Sequence, residues 1–311
     1  MSETIRNVQP VTVHLGNAGS GELVPSRYAV RIGDVDVVLI SDGILPLPTS
    51  TMSTNVSQSD RNEWFDSRFL QRDMFDWALN IALVRSGERL ILIDSGVGDG
   101  FEYFSRAGRS VMRLESAGID LAAITDIVIT HMHMDHVGGL NVDGVKARLR
   151  PDVRIHVAAA EVEFWKDPDF SQTVMPEAVP PAALRKAAAK FVELYSKNLV
   201  LFDQTVEVAA GVSARVTGGH TPGHCVVDVA SKGEKLTFVG DAIFEVGFDN
   251  PAWQNGFEHE PEVAVDVRIA LLNEAAETGA LLAAAHVAFP SIGHVAKNGG
   301  NFRFVPVQWD Y

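Results

Sequence analysis

The apolar run ITDIVIT, residues 124–130, passes without a turn into THMHMDHVGGL, residues 130–140. The first segment reads as a buried strand. The second crowds three histidines and an aspartate into six positions, in a chain with 10 histidines in all. Any fold built on this sequence must end a core strand in a histidine-dense loop at a sheet edge. On an extended segment alternate side chains share a face, so His131 and His133 point the same way. The turn announced by Gly138 and Gly139 can bring Asp135 and His136 back to a neighbouring point. Two histidines then serve one ion and the Asp–His pair a second. Mixed imidazole and carboxylate donors suit zinc, manganese, iron or cobalt. Cys225 is the single cysteine, which excludes a thiolate cluster and an internal disulfide.

Four residues do not complete two coordination shells, and three other segments supply more. VTGGHTPGH offers His220 and His224 on a glycine-rich loop, LTFVGDAIF ends in Asp241, a carboxylate placed to bridge two ions, and LLAAAHVAFPSIGH offers His286 and His294. Each follows an apolar, strand-like run, so all can converge on one sheet edge. His224 is expected to orient its loop by hydrogen bonds. His294 is expected near the pocket mouth. His14, His156 and His259 are assigned no role.

The remaining pattern is that of an α+β chain. Residues 28–43 read as two short strands around a Gly-Asp turn, and 80–98 as a hairpin turning at Ser86-Gly87. Helices are expected over 102–118, 181–196 and 261–277, a strand-to-helix passage over 154–165, a strand series over 199–243, and a last strand in FRFVPV. RSGERLILID and SKGEKLTFVGD resemble each other, each running from a glycine turn to an aspartate. No linker separates domains, so residues 1–311 are expected to form one domain whose first ~25 residues are an extended arm. The net charge of -14 repels phosphate backbones and argues against nucleic acid and anionic membrane surfaces as partners. MSETIRNVQP has no signal-peptide core and no run approaches the roughly 18 apolar residues of a membrane span, so a cytoplasmic location is expected.

The H-x-H-x-D-H run, the GGHTPGH loop, GDAIF and the late His286, in this order, resemble the metallo-β-lactamase superfamily over residues of about 80 to 295. The resemblance implies a four-layered αββα sandwich with a binuclear site in the cleft between its sheets. His131, His133 and His220 would hold one metal, and Asp135, His136 and His286 the other. Asp241 would bridge, and Asp94 of LIDSG would support the site from below. FWKD, GFDNP, AAHVAFPSIGHV and FRFVPV resemble the methyl parathion hydrolase branch, which is similar in its metal site to the quorum-quenching lactonases. Acyl-homoserine lactonases carry a tyrosine three residues after the bridging aspartate. This chain has Phe244 there, so no phenol assists the substrate carbonyl.

The expected activity is hydrolysis of an apolar ester, lactone or organophosphate triester by a hydroxide bridging two divalent ions, zinc being preferred. Asp135 would accept or deliver the proton as the catalytic residue. Trp165, Phe244 and His294 are assigned to the substrate pocket. Phe101, Phe104 and Phe170 read as core packing. The expected partner is a small apolar substrate, and a homodimer is compatible with the sequence. The alternatives on the same fold are a thioester hydrolase of glyoxalase II type and iron-dependent oxygen or thiol chemistry. His133 disfavours the flavodiiron pattern, and the tail offers glutathione only Lys297 and Arg303. A non-enzymatic metal-binding protein would not be expected to keep a complete ligand set.

Overall fold

Along RLILI, residues 89–93, Leu90 and Leu92 face one way and Ile91 and Ile93 the other, and all four are buried. A strand buried on both faces needs a layer on each side. A computed structural model describes residues 25–100 and 105–308 and shows those layers. The first sheet contains β1 (Arg27–Ile32), β2 (Val35–Pro48), β3 (Met74–Ser86), β4 (Arg89–Ile93), β5 (Asp126–Val128), β6 (Arg154–Ala158) and β7 (Leu199–Phe202), side by side in chain order. The second contains β8 (Thr205–Ala209), β9 (Val212–Val216), β10 (Cys225–Ser231), β11 (Glu234–Phe238), β12 (Leu281–Ala283), β13 (Ile292–Asn298) and β14 (Asn301–Pro306), again in chain order. The helices are α1 (Gln58–Ser67), α2 (Ser110–Ser116), α3 (Met134–Val137), α4 (Val145–Arg148), α5 (Ala159–Phe164), α6 (Pro181–Tyr195) and α7 (Pro261–Thr278).

Three apolar layers hold this α+β arrangement together as a four-layered αββα sandwich. Ile91, Ile93 and Val128 of the first sheet meet Val227, Val229 and Phe238 of the second between the sheets. Leu90, Leu92 and Ile127 turn outward onto Leu114 of α2 and Leu184 and Phe191 of α6. Val226 and Leu282 turn outward onto Leu271 and Leu272 of α7. Period-2 alternation inside each strand thus assigns residues to layers.

The two similar hairpins, β3–β4 and β10–β11, take the same two positions, third and fourth, in their seven-stranded sheets. Each is followed by a parallel neighbour, β5 or β12. Asp94 directly follows the first hairpin and Asp241 follows the second after two intervening residues.

The structure departs from the sequence reading in two places that shape the site. β2 runs on to Pro48. β1 pairs only its residues 35–40, so Pro46 and Pro48 lie on an edge that no described strand covers, where a missing N–H breaks no described ladder bond. Of the helix expected over 102–118, the described residues 105–109 are not helical and α2 covers Ser110–Ser116: the buried Asp42 carboxylate accepts the amides of Val97, Gly108 and Ser110. The expected N-terminal arm, His14, Phe101 and Phe104 lie outside the described residues.

Candidate metal centre

Four strand ends converge on one cleft. β5 delivers His131 and His133, and α3 follows at once with Asp135 and His136. The β9–β10 loop carries His220, Asp241 follows β11, and His286 follows β12. The loop–helix passage works because Gly139 lets the chain close on the strand end beside it: a Cβ there would stand 2.0 Å from the Ser95 carbonyl oxygen.

The donor atoms fall into two groups, His131–His133–His220–Asp241 and Asp135–His136–His286, each with its atoms within 4.8 Å of one another. Asp241 lies between them. Its Oδ2 is 2.9 Å from His286 Nε2 and 3.4 Å from His220 Nε2, and its Oδ1 is 3.1 Å from His136 Nε2. Asp135 Oδ2 is 3.4 Å from His286 Nε2, and Nδ1 of His133 is 3.0 Å from Nε2 of His220. His131 Nε2, His136 Nε2 and Asp241 Oδ1 are buried and make no hydrogen bond. Buried polar atoms are normally satisfied, so orphans in both donor groups fit cations bound there.

Electrostatics agree. Burial, reinforced by neighbouring imidazoles, pulls His131, His133 and His220 well below the usual imidazole value. They are neutral donors. Burial also acts against charge on His136 and His286, but Asp241, with Asp94 and Asp135 for His136 and Asp135 for His286, outweighs it and raises both. Burial likewise acts to raise Asp241, and the imidazoles around it, His286 and His136 foremost, outweigh that and hold it well below the carboxylate range. The cleft floor is an ionised carboxylate ringed by imidazoles, a donor set for borderline divalent ions.

An outer ring fixes these side chains. Asp94 accepts from the Thr130 amide and hydroxyl, each at 2.8 Å, and stands 2.7 Å from His136 Nδ1. His286 Nδ1 donates to the Ala78 carbonyl at 2.8 Å. His224 Nε2 accepts the Asp241 amide at 3.1 Å while its Nδ1 meets the Thr217 hydroxyl at 2.9 Å, and burial lowers it to about 4. That is the loop-orienting role expected for it.

Two members of this ring carry no sequence signal. Glu161 is fully buried and accepts from the Met132 amide, Trp165 Nε1 and the Thr221 hydroxyl, tying the 131–136 loop to the loop of His220. Gly223 makes room for it, since a Cβ there would stand 2.1 Å from the Glu161 nitrogen. His259, assigned no role, has Nε2 3.2 Å from His133 Nε2. Only a short, regular spacing to another ligand would mark it in the sequence, and a lone histidine on an irregular loop has none.

The cleft above is lined by His133, Asp135, Asp241 and His286 together with Leu45, Leu47, Trp77, Met134, Val179, Leu184 and Phe257. The three residues assigned to the pocket lie elsewhere. Trp165 stands behind His133, ring centroids 5.6 Å apart, anchored on Glu161. Phe244 is 1% exposed, stacked on Trp77 at 6.1 Å and covered by the Arg268 guanidinium at 4.5 Å. His294 is exposed on β13 and bonds the Gly279 carbonyl at the end of α7, apart from the residues that line the cleft. Phe170 packs on Trp165, as expected, and also on His259. Among the described residues no helix is long and apolar enough to cross a membrane.

Comparison with known proteins places this geometry. A Beta-lactamase-like protein 2 homolog of Drosophila melanogaster is 30% identical over 169 residues, covering 54% of this chain and 48% of that protein, so the chain spans about half the length of this relative. AidC, a dizinc quorum-quenching lactonase solved in complex with a product, superposes with a TM-score of 0.82 at 24% identity, over 92% of this chain and 99% of its own. The hydrolase AbOPH of the beta lactamase superfamily superposes with a TM-score of 0.81 at 26% identity, over 93% and 99%. The family model of the metallo-beta-lactamase superfamily matches residues 75–286. With two-thirds of its length matched and the fold and donor groups in place, this chain belongs to the metallo-beta-lactamase superfamily.

Proposed function

We propose that this chain is a binuclear metal-dependent hydrolase of small uncharged esters and lactones, with organophosphate triesters as further substrates. The observation that carries the reading is the meeting of two donor groups at Asp241 on the floor of a cleft whose remaining walls are apolar. His131, His133 and His220 would hold one ion, Asp135, His136 and His286 the other, and Asp241 would reach both. Zinc suits this donor set first, with manganese, iron and cobalt compatible. When bound, such ions would lower the pKa of water from 15.7 to about 7 and polarise the carbonyl or phosphoryl oxygen of the substrate.

The chain's own groups do the rest. Leu45, Leu47, Trp77 and Leu184 exclude water and seat an acyl or alkoxy chain. Asp135, with its side chain 14% exposed, is the most accessible carboxylate on the floor, and it takes up a proton and passes it to the departing oxygen. Position 244 contributes no hydroxyl, since Phe244 is packed between Trp77 and Arg268. Among the described residues neither lysine nor arginine lines the cleft, and Lys297 is paired with Glu277 at 2.9 Å, which favours a neutral ester over a glutathione thioester. The likeness to a dizinc lactonase and to a second hydrolase of the superfamily supports the same class.

The test is acid release in a pH-stat from a medium-chain lactone, an aryl carboxylic ester and a methyl phosphotriester, each with a chelated control. Chelator-sensitive release, fastest from the lactone or ester, is expected. Silence on all three by protein carrying two metals would overturn the reading.

A further inference from the structure

His259 belongs to neither donor group, yet it is bonded to two residues of one of them. Its backbone amide donates to the His220 carbonyl at 2.8 Å, and its ring nitrogen Nε2 lies 3.2 Å from Nε2 of His133. Its other ring nitrogen, Nδ1, is 2.8 Å from the Asp169 carbonyl oxygen. A carbonyl oxygen only accepts, so Nδ1 of His259 carries a proton. In a neutral ring Nε2 then offers a lone pair. The partner facing it, Nε2 of His133, must donate, and the proton of His133 is held on that nitrogen. Nδ1 of His133 is left bare, 3.0 Å from His220 Nε2 and facing the other donors.

We infer that His259 is a positioning residue: by holding the proton of His133 on Nε2, it fixes Nδ1 as the atom His133 presents to the metal. The inference rests on the binuclear reading and adds to it the source of one ligand's tautomer. Such outer partners fix ring orientation and tautomer in histidine-ligated sites. Here the partner is itself built in. His259 is only 5% exposed, with the Phe164 and Phe170 rings edge-on at 4.8 and 5.0 Å. The Asp169 carbonyl that sets the proton is also held in place, because the Asp169 carboxylate accepts the amide and hydroxyl of Ser171, each at 2.8 Å.

The experiment is long-range proton–nitrogen correlation NMR on the zinc-free and zinc-loaded protein, with zinc affinity from chelator competition for wild type, His259→Phe and His259→Gln. The expected spectra show His259 protonated on Nδ1 and His133 on Nε2 in both states. Phenylalanine suits the aromatic surroundings but accepts nothing, and it should weaken the tighter-held or looser-held zinc, whichever His133 ligates, by about 10–100-fold. Glutamine, whose amide oxygen can stand in for Nε2, should restore most of the affinity. A His259 proton on Nε2, or wild-type zinc affinity at both sites in a folded His259→Phe protein, would overturn the inference. Failure of the binuclear reading is separate: it would appear as fewer than two zinc ions in wild type, while the tautomers in the zinc-free spectra still decide the role of His259.

Discussion

Asp94 Oδ2 lies 2.7 Å from Nδ1 of His136, and the other carboxylate oxygen takes the Thr130 amide at 2.8 Å. One buried carboxylate therefore pins the end of β5 and the proton of a candidate ligand together. Asp94 keeps this position in the left-handed backbone region, φ 59°, which costs a non-glycine residue of order 1 kcal/mol. An asparagine there would tolerate the backbone but place an N–H donor opposite His136 Nδ1. Asp94→Asn should then move the His136 proton to Nε2 and weaken binding at the second donor group by about 10–100-fold, read by chelator competition. Unchanged affinity would remove Asp94 from the site.

Asp241 lies near donors of both groups. Asp241→Ala should lose occupancy at both positions and reduce turnover to the uncatalysed rate, checked by elemental analysis beside the pH-stat assay. A variant that holds two ions and turns over fully would sink the bridging assignment.

Phe244 occupies the position where acyl-homoserine lactonases carry tyrosine, but its ring is closed in by Trp77 and Arg268. A hydroxyl added to this enclosed ring loses its water, and a buried hydroxyl left unsatisfied costs about 1–3 kcal/mol. Phe244→Tyr should lower stability by that amount in urea unfolding and leave lactone turnover within a few-fold of wild type. A large gain in turnover would mean that the ring edge at 244 reaches the substrate.

Asp42 provides a pH signature from a residue outside both donor groups. Burial, only partly offset by its three amide donors, pushes its carboxyl from 3.8 up to about 6. The folded chain therefore binds this proton more tightly than the unfolded chain, and stability falls as pH rises from about 4 to about 6, by an amount of order 3 kcal/mol. In zinc-free protein, urea unfolding of Asp42→Asn should lack this slope. Parallel slopes in variant and wild type would place the titration elsewhere.

The sequence exposes the site where chemistry and secondary structure coincide. His131 to His136 follow a strand too apolar to be anything but core, and His220, Asp241 and His286 each follow another, so their convergence is legible in the chain alone. The wall of the cleft is not. Leu45 and Leu47 face it because β2 runs on past the residues that β1 pairs. The helix expected over 102–118 is too long because a composition that favours helix says nothing of Asp42, 66 residues before Gly108 and 68 before Ser110, capturing its first amides. His259 and Glu161 are silent for a similar reason: their partners are set by how two loops cross, and neither loop has a period. His294 reads as part of the site from its distance to His286 along the chain, but β13 carries it to the end of α7, where it bonds the Gly279 carbonyl.

Turnover measured against equivalents of zinc added to metal-free protein tests the central claim most directly. Lactone or ester hydrolysis should be absent without metal, rise with added zinc and level off at two equivalents per chain. Full activity in the metal-free protein, or a plateau at one equivalent, would contradict a binuclear hydrolase.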